Sequence, residues 1–159
     1  MEFTDKSLGR FEIGDESAMT RMNEIPVAME LRPRRYFSAA EANRALVLVR
    51  RIVSDIVMGY ARLMDVQELA EASRPRSLRG DAAQSELTAI AQRLQEYAAE
   101  LDDVGVELMD WSVGIVDFPT FVDGHEAYLC WRLGEDRVEH WHRLDEESDQ
   151  RTPLAGMPA

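Results

Sequence analysis

The sequence is poor in cysteine, in basic residues and in long apolar runs, and each shortage excludes a class of protein. The single cysteine, Cys130, cannot build an intramolecular disulfide framework and indicates a reducing, cytoplasmic setting. No apolar run approaches the ~20 residues of a membrane-spanning helix, and the N-terminus lacks the apolar core of a secretory signal. The chain holds 18 Lys+Arg against 30 Asp+Glu, a formal charge of −12, which argues against binding to a nucleic-acid backbone.

Several short catalytic and nucleotide-binding motifs are also missing. The sequence contains no serine elbow, no P-loop, no glycine-rich dinucleotide fingerprint and no HExxH pair. With 159 residues, 45% of them hydrophobic, the chain has the length and composition of one globular domain. Function must therefore be argued from the placement of individual side chains.

The chain divides into three parts by pattern. Residues 1–35 show no periodicity and predict a flexible N-terminal arm. Residues 36–154 carry regular apolar patterns and predict a single α+β domain. Residues 155–159 form a tail.

Two long helices are predicted in the first half of that domain. Ser38 and Glu41 have the spacing of a capping box, which marks a helix start. Apolar residues then recur at alternating spacings of three and four, so we predict a helix over 38–73. The same period, with Asp81 as the helix N-cap, predicts a second helix over 81–104. A short connection makes the pair a long antiparallel helical hairpin, coiled-coil-like.

The second half changes to a period of two, which predicts strands. We expect three, over residues 113–118, 125–133 and 138–144. Asp123 and Gly124 form a strong hairpin turn signal between the first two. The predicted fold is therefore α+β, with the helical hairpin packed on a three-stranded antiparallel β-meander.

The turn between the second and third strands determines which residues face each other. A four-residue turn would pair Leu133 with Val138. Cys130 would then face Trp141, on the side of the sheet away from the histidines. In that position Cys130 has no nearby base, which favours a buried apolar thiol over a nucleophile.

Histidines suggest a metal site on the predicted meander. His140 and His142 alternate on one strand, so both rings lie on one face, roughly 6.5–7 Å apart at their Cα atoms. The candidates for further ligands are Asp117, His125 and Cys130. Such a set suits a divalent transition metal, and the pattern does not choose among zinc, nickel, iron and manganese. Packed or surface histidines are the alternative.

Two main functions and a third remain open at this point. The long first helix has more apolar surface than its hairpin partner covers, which favours a non-enzymatic interaction domain that self-associates as a homodimer. The alternative is a metal-binding protein or small metalloenzyme, with Glu135 or Asp145 as acid or base. The third is a small-molecule pocket lined by Trp111, Trp131 and Trp141.

Three segments together resemble a known family. They are YFSAAEAN at 36–43, GIVDFP at 114–119 and YLCWRLGE at 128–135, the last followed by Trp141 and His142. In order and spacing they resemble the uncharacterised prokaryotic family called domain of unknown function 2203, over residues 36–154. The resemblance implies this fold and a bacterial cytosolic setting, and it implies no activity.

The family pattern also draws attention to particular polar positions. They are Glu41, Asn43, Asp117, Cys130, Arg132, Glu135, His142 and Arg151. In that pattern the position of His140 is aromatic, so the resemblance favours His142 over His140 as a functional residue.

Overall fold

We describe the protein from a computed structural model, which describes residues 34–156. The predicted arm, residues 1–35, lies outside the described residues except for its last two. Residues 157–159 of the predicted tail also lie outside them.

Helix α1 spans Ala39–Ala72 and begins with the predicted capping box. The Ser38 hydroxyl accepts a hydrogen bond from the Glu41 amide, and the Glu41 carboxylate accepts one from the Ser38 amide. One side of the helix is buried, through Ala42, Leu46, Val49, Ile52, Val53, Ile56 and Val66. The other side is exposed.

Helix α2 spans Leu78–Val104 and starts three residues before its predicted start. The N-cap is Ser77, whose hydroxyl accepts from the Gly80 amide at 3.0 Å. Asp81, predicted as the cap, instead lies in the first turn, where its charge stabilises the positive end of the helix dipole. The helix ends at Gly105, which takes the left-handed conformation with φ 101°.

The two helices pack against each other in antiparallel orientation. Arg62 in α1 forms an ion pair with Glu86 in α2, and Arg35, just before α1, donates to the carbonyl of Val104 at the end of α2. Helix α1 has 34 residues and α2 has 27, a difference in length of about 10 Å. Within residues 34–156, neither helix has both the length and the apolar character needed to cross a membrane.

The sheet has five antiparallel strands, so the prediction of three is wrong. The strands are β1 Glu107–Asp110, β2 Ile115–Val122, β3 His125–Arg132, β4 His140–Arg143 and β5 Thr152–Pro153, hydrogen-bonded in that order. Strand β5, with two residues, is too short to show a period of two, and the four residues of β1 show no regular alternation of burial. Strand β2 continues through Pro119, whose carbonyl accepts from the Phe37 amide at 2.7 Å.

The pairing of β3 with β4 differs by one residue from the predicted register. Cys130 pairs with His140, whereas the prediction placed Cys130 opposite Trp141. The reason lies in helix α1: Asn43 accepts from the Val138 amide at 2.8 Å and donates to its carbonyl at 3.3 Å. Val138 is therefore not available to pair with Leu133. A shift of one residue moves every side chain of a strand to the opposite face.

The two faces of the sheet differ in chemistry. One face is apolar and forms the core with α1 and α2; its members include Val116, Phe118, Leu129, Trp131 and Trp141. Trp111 packs against the same core, so all three tryptophans contribute to its packing. The opposite face carries Asp117 and Cys130, paired across β2 and β3.

Candidate functional site

Three predicted site residues meet on the polar face of the sheet. Asp117 lies on β2, Cys130 on β3 and His142 on β4. One carboxylate oxygen, the sulfur and one ring nitrogen all lie within 4.8 Å of one another. The three residues are 1%, 0% and 3% exposed. Such burial requires that their polar atoms be paired.

Both ring nitrogens of His142 are engaged. Its Nδ1–H donates to the Arg143 carbonyl at 2.8 Å. Its Nε2 lies 3.1 Å from each carboxylate oxygen of Asp117. The ring is therefore held in one orientation, with Nε2 directed at the carboxylate and at the Cys130 sulfur.

These contacts raise the pKa of His142 to about 10. Burial acts in the opposite direction, because it disfavours the charged imidazolium. Hydrogen bonds to Asp117, to Cys130 and to the Arg143 carbonyl, together with the carboxylate charge, outweigh that effect. Asp117 and His142 therefore form a buried ion pair at neutral pH.

A second ion pair borders the cluster on the side of β5. The Arg151 guanidinium binds the Glu135 carboxylate through both terminal nitrogens, and its Nη1 lies 3.9 Å from the Cys130 sulfur. Hydrogen bonds from Arg151 and from the Arg132 amide hold the pKa of Glu135 below its usual value, although burial opposes this. The segment carrying Arg151 is fixed because β5 pairs with β4.

Aromatic and acidic groups border the cluster on the side of β1. The Tyr128 hydroxyl donates to both carboxylate oxygens of Glu107, at 3.1 and 3.2 Å. The Tyr128 ring lies 5.5 Å from the His142 ring, centroid to centroid. Polar and aromatic neighbours thus support the position of His142 from two strands.

The two other predicted ligands lie outside this group. His125 is exposed at the start of β3, where its Nδ1 lies 3.1 Å from the Asp123 carbonyl. His140 faces the same side as Cys130 but is not a member of the close cluster. Its Nδ1 is buried and has no hydrogen-bond partner among the described residues. The structure thus assembles an Asp–Cys–His group in place of a two-histidine chelate.

The geometry does not favour Cys130 as a nucleophile. In a thiol–imidazole–carboxylate triad the imidazole uses one nitrogen for the nucleophile and the other for the carboxylate. Here Nδ1 of His142 binds the Arg143 carbonyl, and Nε2 serves Asp117. Cys130 also has no exposed surface for a substrate to approach.

The sequence pattern predicted Glu135 as an acid or base of the site but missed its partner Arg151, although both occupy family-motif positions. A prediction would have needed the correct β3–β4 register and the fifth strand. Two other motif positions have structural roles instead: Glu41 caps α1, and Asn43 binds the Val138 backbone. The eight positions therefore include site residues and residues that position the strands.

Fold and site together define an α+β protein with a buried Asp–Cys–His cluster on the sheet face away from its helices. The model of one protein family, described as "Uncharacterized conserved protein (DUF2203)", matches residues 35–154. The chain belongs to this family. None of the curated proteins and none of the solved structures matches it.

Proposed function

We propose that this protein binds a divalent transition-metal ion through Asp117, Cys130 and His142. The observation that carries the proposal is the convergence of three different ligand atoms within 4.8 Å, from three adjacent strands. Zn²⁺ accepts carboxylate oxygen, thiolate sulfur and imidazole nitrogen together, at bond lengths of about 2.0–2.3 Å. A thiolate ligand also favours zinc over magnesium or calcium.

The orientation of His142 supports a metal on Nε2. Metal-binding histidines usually donate their second ring N–H to a carbonyl or carboxylate, which fixes the ring. His142 makes such a bond from Nδ1 to the Arg143 carbonyl. Its Nε2 then becomes a ligand once its proton leaves.

Charge balance also supports the proposal. A divalent ion would replace two protons, one from the His142 ring and one from the Cys130 thiol, so the net charge of the cluster would not change. The neighbouring Glu135–Arg151 pair is neutral by itself. Because the metal must displace a proton from a ring whose pKa is about 10, affinity rises with pH.

Three protein ligands leave one tetrahedral position for water, as in catalytic rather than structural zinc sites. A small metalloenzyme is the more specific form of this proposal, and it requires a path for substrate to three residues that are 1%, 0% and 3% exposed. Glu135, predicted as an acid or base, is held by Arg151 beside the cluster. Asp145, the other predicted acid or base, is exposed outside it.

Metal content and cobalt spectroscopy test the proposal. We expect untagged protein from zinc-supplemented cells to carry one equivalent of zinc. Cobalt titrated into the metal-free protein should produce a thiolate-to-metal charge-transfer band. Cys130→Ser should remove that band, and His142→Gln should lower affinity by about 100-fold or more.

His125→Gln is the matched control, because that ring is exposed and outside the cluster. It should keep both the stoichiometry and the cobalt spectrum. A wild-type protein that retains no stoichiometric metal and gives no charge-transfer band would overturn the proposal. Circular dichroism of each variant separates loss of the site from loss of the fold.

Self-association is the second candidate function, and exposed apolar side chains on α1 support it. Val47 and Met58 are 69% and 68% exposed. Val47 lies on the side of the helix opposite its buried residues, and Met58 borders the groove between α1 and α2. A homodimer in the cytoplasm, with the metal site within each copy, is compatible with both candidates.

A further inference from the structure

The exposed side of α1 carries a row of five residues that we call the outer stripe. Its members are Val47, Arg51, Met58, Asp65 and Leu69. At 100° per residue the five side chains point within about 20° of one direction, which is opposite the buried side of the helix. The stripe is about 33 Å long.

The outer stripe is symmetric about Met58. Arg51 and Asp65 lie seven residues to either side and have opposite charges. Val47 and Leu69 lie eleven residues to either side, and both are apolar. The order is therefore apolar, basic, apolar, acidic, apolar, and it reads the same in both directions except for the sign of the charge.

We propose that a second copy of this chain docks on the outer stripe, with the two α1 helices antiparallel and a two-fold axis at Met58. In that arrangement Met58 meets its own counterpart, and Arg51 of each copy meets Asp65 of the other. Each Val47 meets a Leu69. The contact is isologous, so the same surface is used twice and the assembly closes as a dimer.

Charge selects this orientation over the parallel one. A parallel pairing centred on Met58 would place Arg51 against Arg51 and Asp65 against Asp65, and like charges in contact destabilise an interface. Within residues 34–156 neither Arg51 nor Asp65 forms an ion pair at contact distance, although the Asp65 charge interacts with Arg62 on the same helix. Both are exposed and thus available to a second chain.

The inference rests on the second candidate function, self-association, and does not depend on the metal site. One helix from each copy makes a small interface, so we expect a dimer that dissociates on dilution. Met58, at the centre of the stripe, borders the groove between the helices together with Ile90 and Arg93 of α2, so the second copy would also lie close to α2.

Cysteine cross-linking tests the register. Cys130 has no exposed surface, so a new exposed cysteine is the reactive one. Met58→Cys should form a disulfide-linked dimer under mild oxidation. A mixture of Val47→Cys and Leu69→Cys chains should form a mixed dimer, whereas neither variant should link to itself. Met109→Cys, at a methionine 54% exposed on β1, is the matched control and should remain monomeric under the same conditions.

Charge reversal tests the same interface without cross-linking. Arg51→Asp should weaken the dimer by about tenfold or more, because two acidic pairs replace two ion pairs. The double variant Arg51→Asp/Asp65→Arg should restore it. Sedimentation velocity over a range of concentrations measures the dissociation constant.

The outcomes separate two failures. A chain that stays monomeric at every concentration overturns both self-association and the stripe. If the wild type dimerises but Arg51→Asp does not weaken the dimer, or Val47→Cys chains link to each other, self-association stands and this interface is overturned. Recovery in the double variant together with the mixed cross-link supports it.

Discussion

The two faces of the sheet show how one fold combines an apolar core with a buried polar cluster. Phe118 and Trp131 point to the helices and are fully buried among apolar side chains. Asp117 and Cys130, their immediate neighbours in sequence, point to the other face and are equally buried. Burial of the first pair follows from the hydrophobic effect, whereas burial of the second requires paired charges and hydrogen bonds.

This difference indicates that the two faces are stabilised in different ways. The apolar face gains free energy from each buried side chain and needs no specific partner. The polar face is stable because Asp117 and His142 neutralise each other, and a metal ion could replace that interaction. Substitutions on the two faces should therefore differ in how their effect on the free energy of unfolding depends on pH.

The largest effect should come from the apolar face. Phe118→Ala removes a fully buried ring that contacts Phe37 edge to face, and we expect a loss of about 3–5 kcal/mol in the free energy of unfolding. Chemical denaturation measures it. The loss should be independent of pH between 6 and 10, because no titrating group is removed. A strong pH dependence would contradict the claim that the apolar face is stabilised independently of the charged groups on the other face.

The polar face should show an intermediate effect that depends on pH. The folded-state pKa of His142, about 10, lies above its ordinary value of 6.5. The stabilisation by the imidazolium is therefore complete below pH 6.5 and is lost as the pH rises through 10. For metal-free wild-type protein we expect to lose about 1.5–3 kcal/mol over this range, the value of a charge-assisted hydrogen bond.

His142→Gln is the control for this pH dependence, because glutamine does not titrate. Its free energy of unfolding should change less between pH 7 and pH 10 than that of the wild type. Parallel curves for the two proteins would show that His142 does not form a buried ion pair.

The smallest effect should come from Asn43, which links helix α1 to the segment that precedes β4. Asn43→Ala removes the partner of the Val138 amide, and we expect a loss of about 1–2 kcal/mol, since the site is only half-buried. Metal affinity should fall as well, because Asn43 helps to set the β3–β4 register. Asn43→Asp, which keeps the acceptor oxygen, should retain more affinity than the alanine variant. Equal metal affinity in the wild type and the alanine variant would show that Asn43 does not affect the metal site.

Local patterns in the sequence predicted the elements better than the contacts between them. The capping box at Ser38 and the hairpin turn at Asp123 and Gly124 depend on neighbouring residues only, and both are found in the structure. The β3–β4 register depends on Asn43, which is 95 residues from Val138 in the chain. No turn signal near Leu133 contains that information.

Contacts between distant parts of the chain also decide which residues of the candidate site come together. Asp117, Cys130 and His142 were all predicted as ligands. Their side chains come together only in the observed β3–β4 register, which differs by one residue from the register predicted from the turn. His140 was included because it alternates with His142, and strand alternation says nothing about which ring reaches the neighbouring strands. Arg151 directly precedes β5, a strand of two residues that is too short to be recognised from a period.

X-ray absorption spectroscopy of the zinc-loaded protein tests the central claim most directly, because it counts ligands by type. The account predicts one sulfur at about 2.3 Å and nitrogen or oxygen ligands at about 2.0–2.2 Å. Cys130→Ser should lose the sulfur contribution. A zinc environment of nitrogen and oxygen alone in the wild type, or a protein that retains no zinc, would contradict the account.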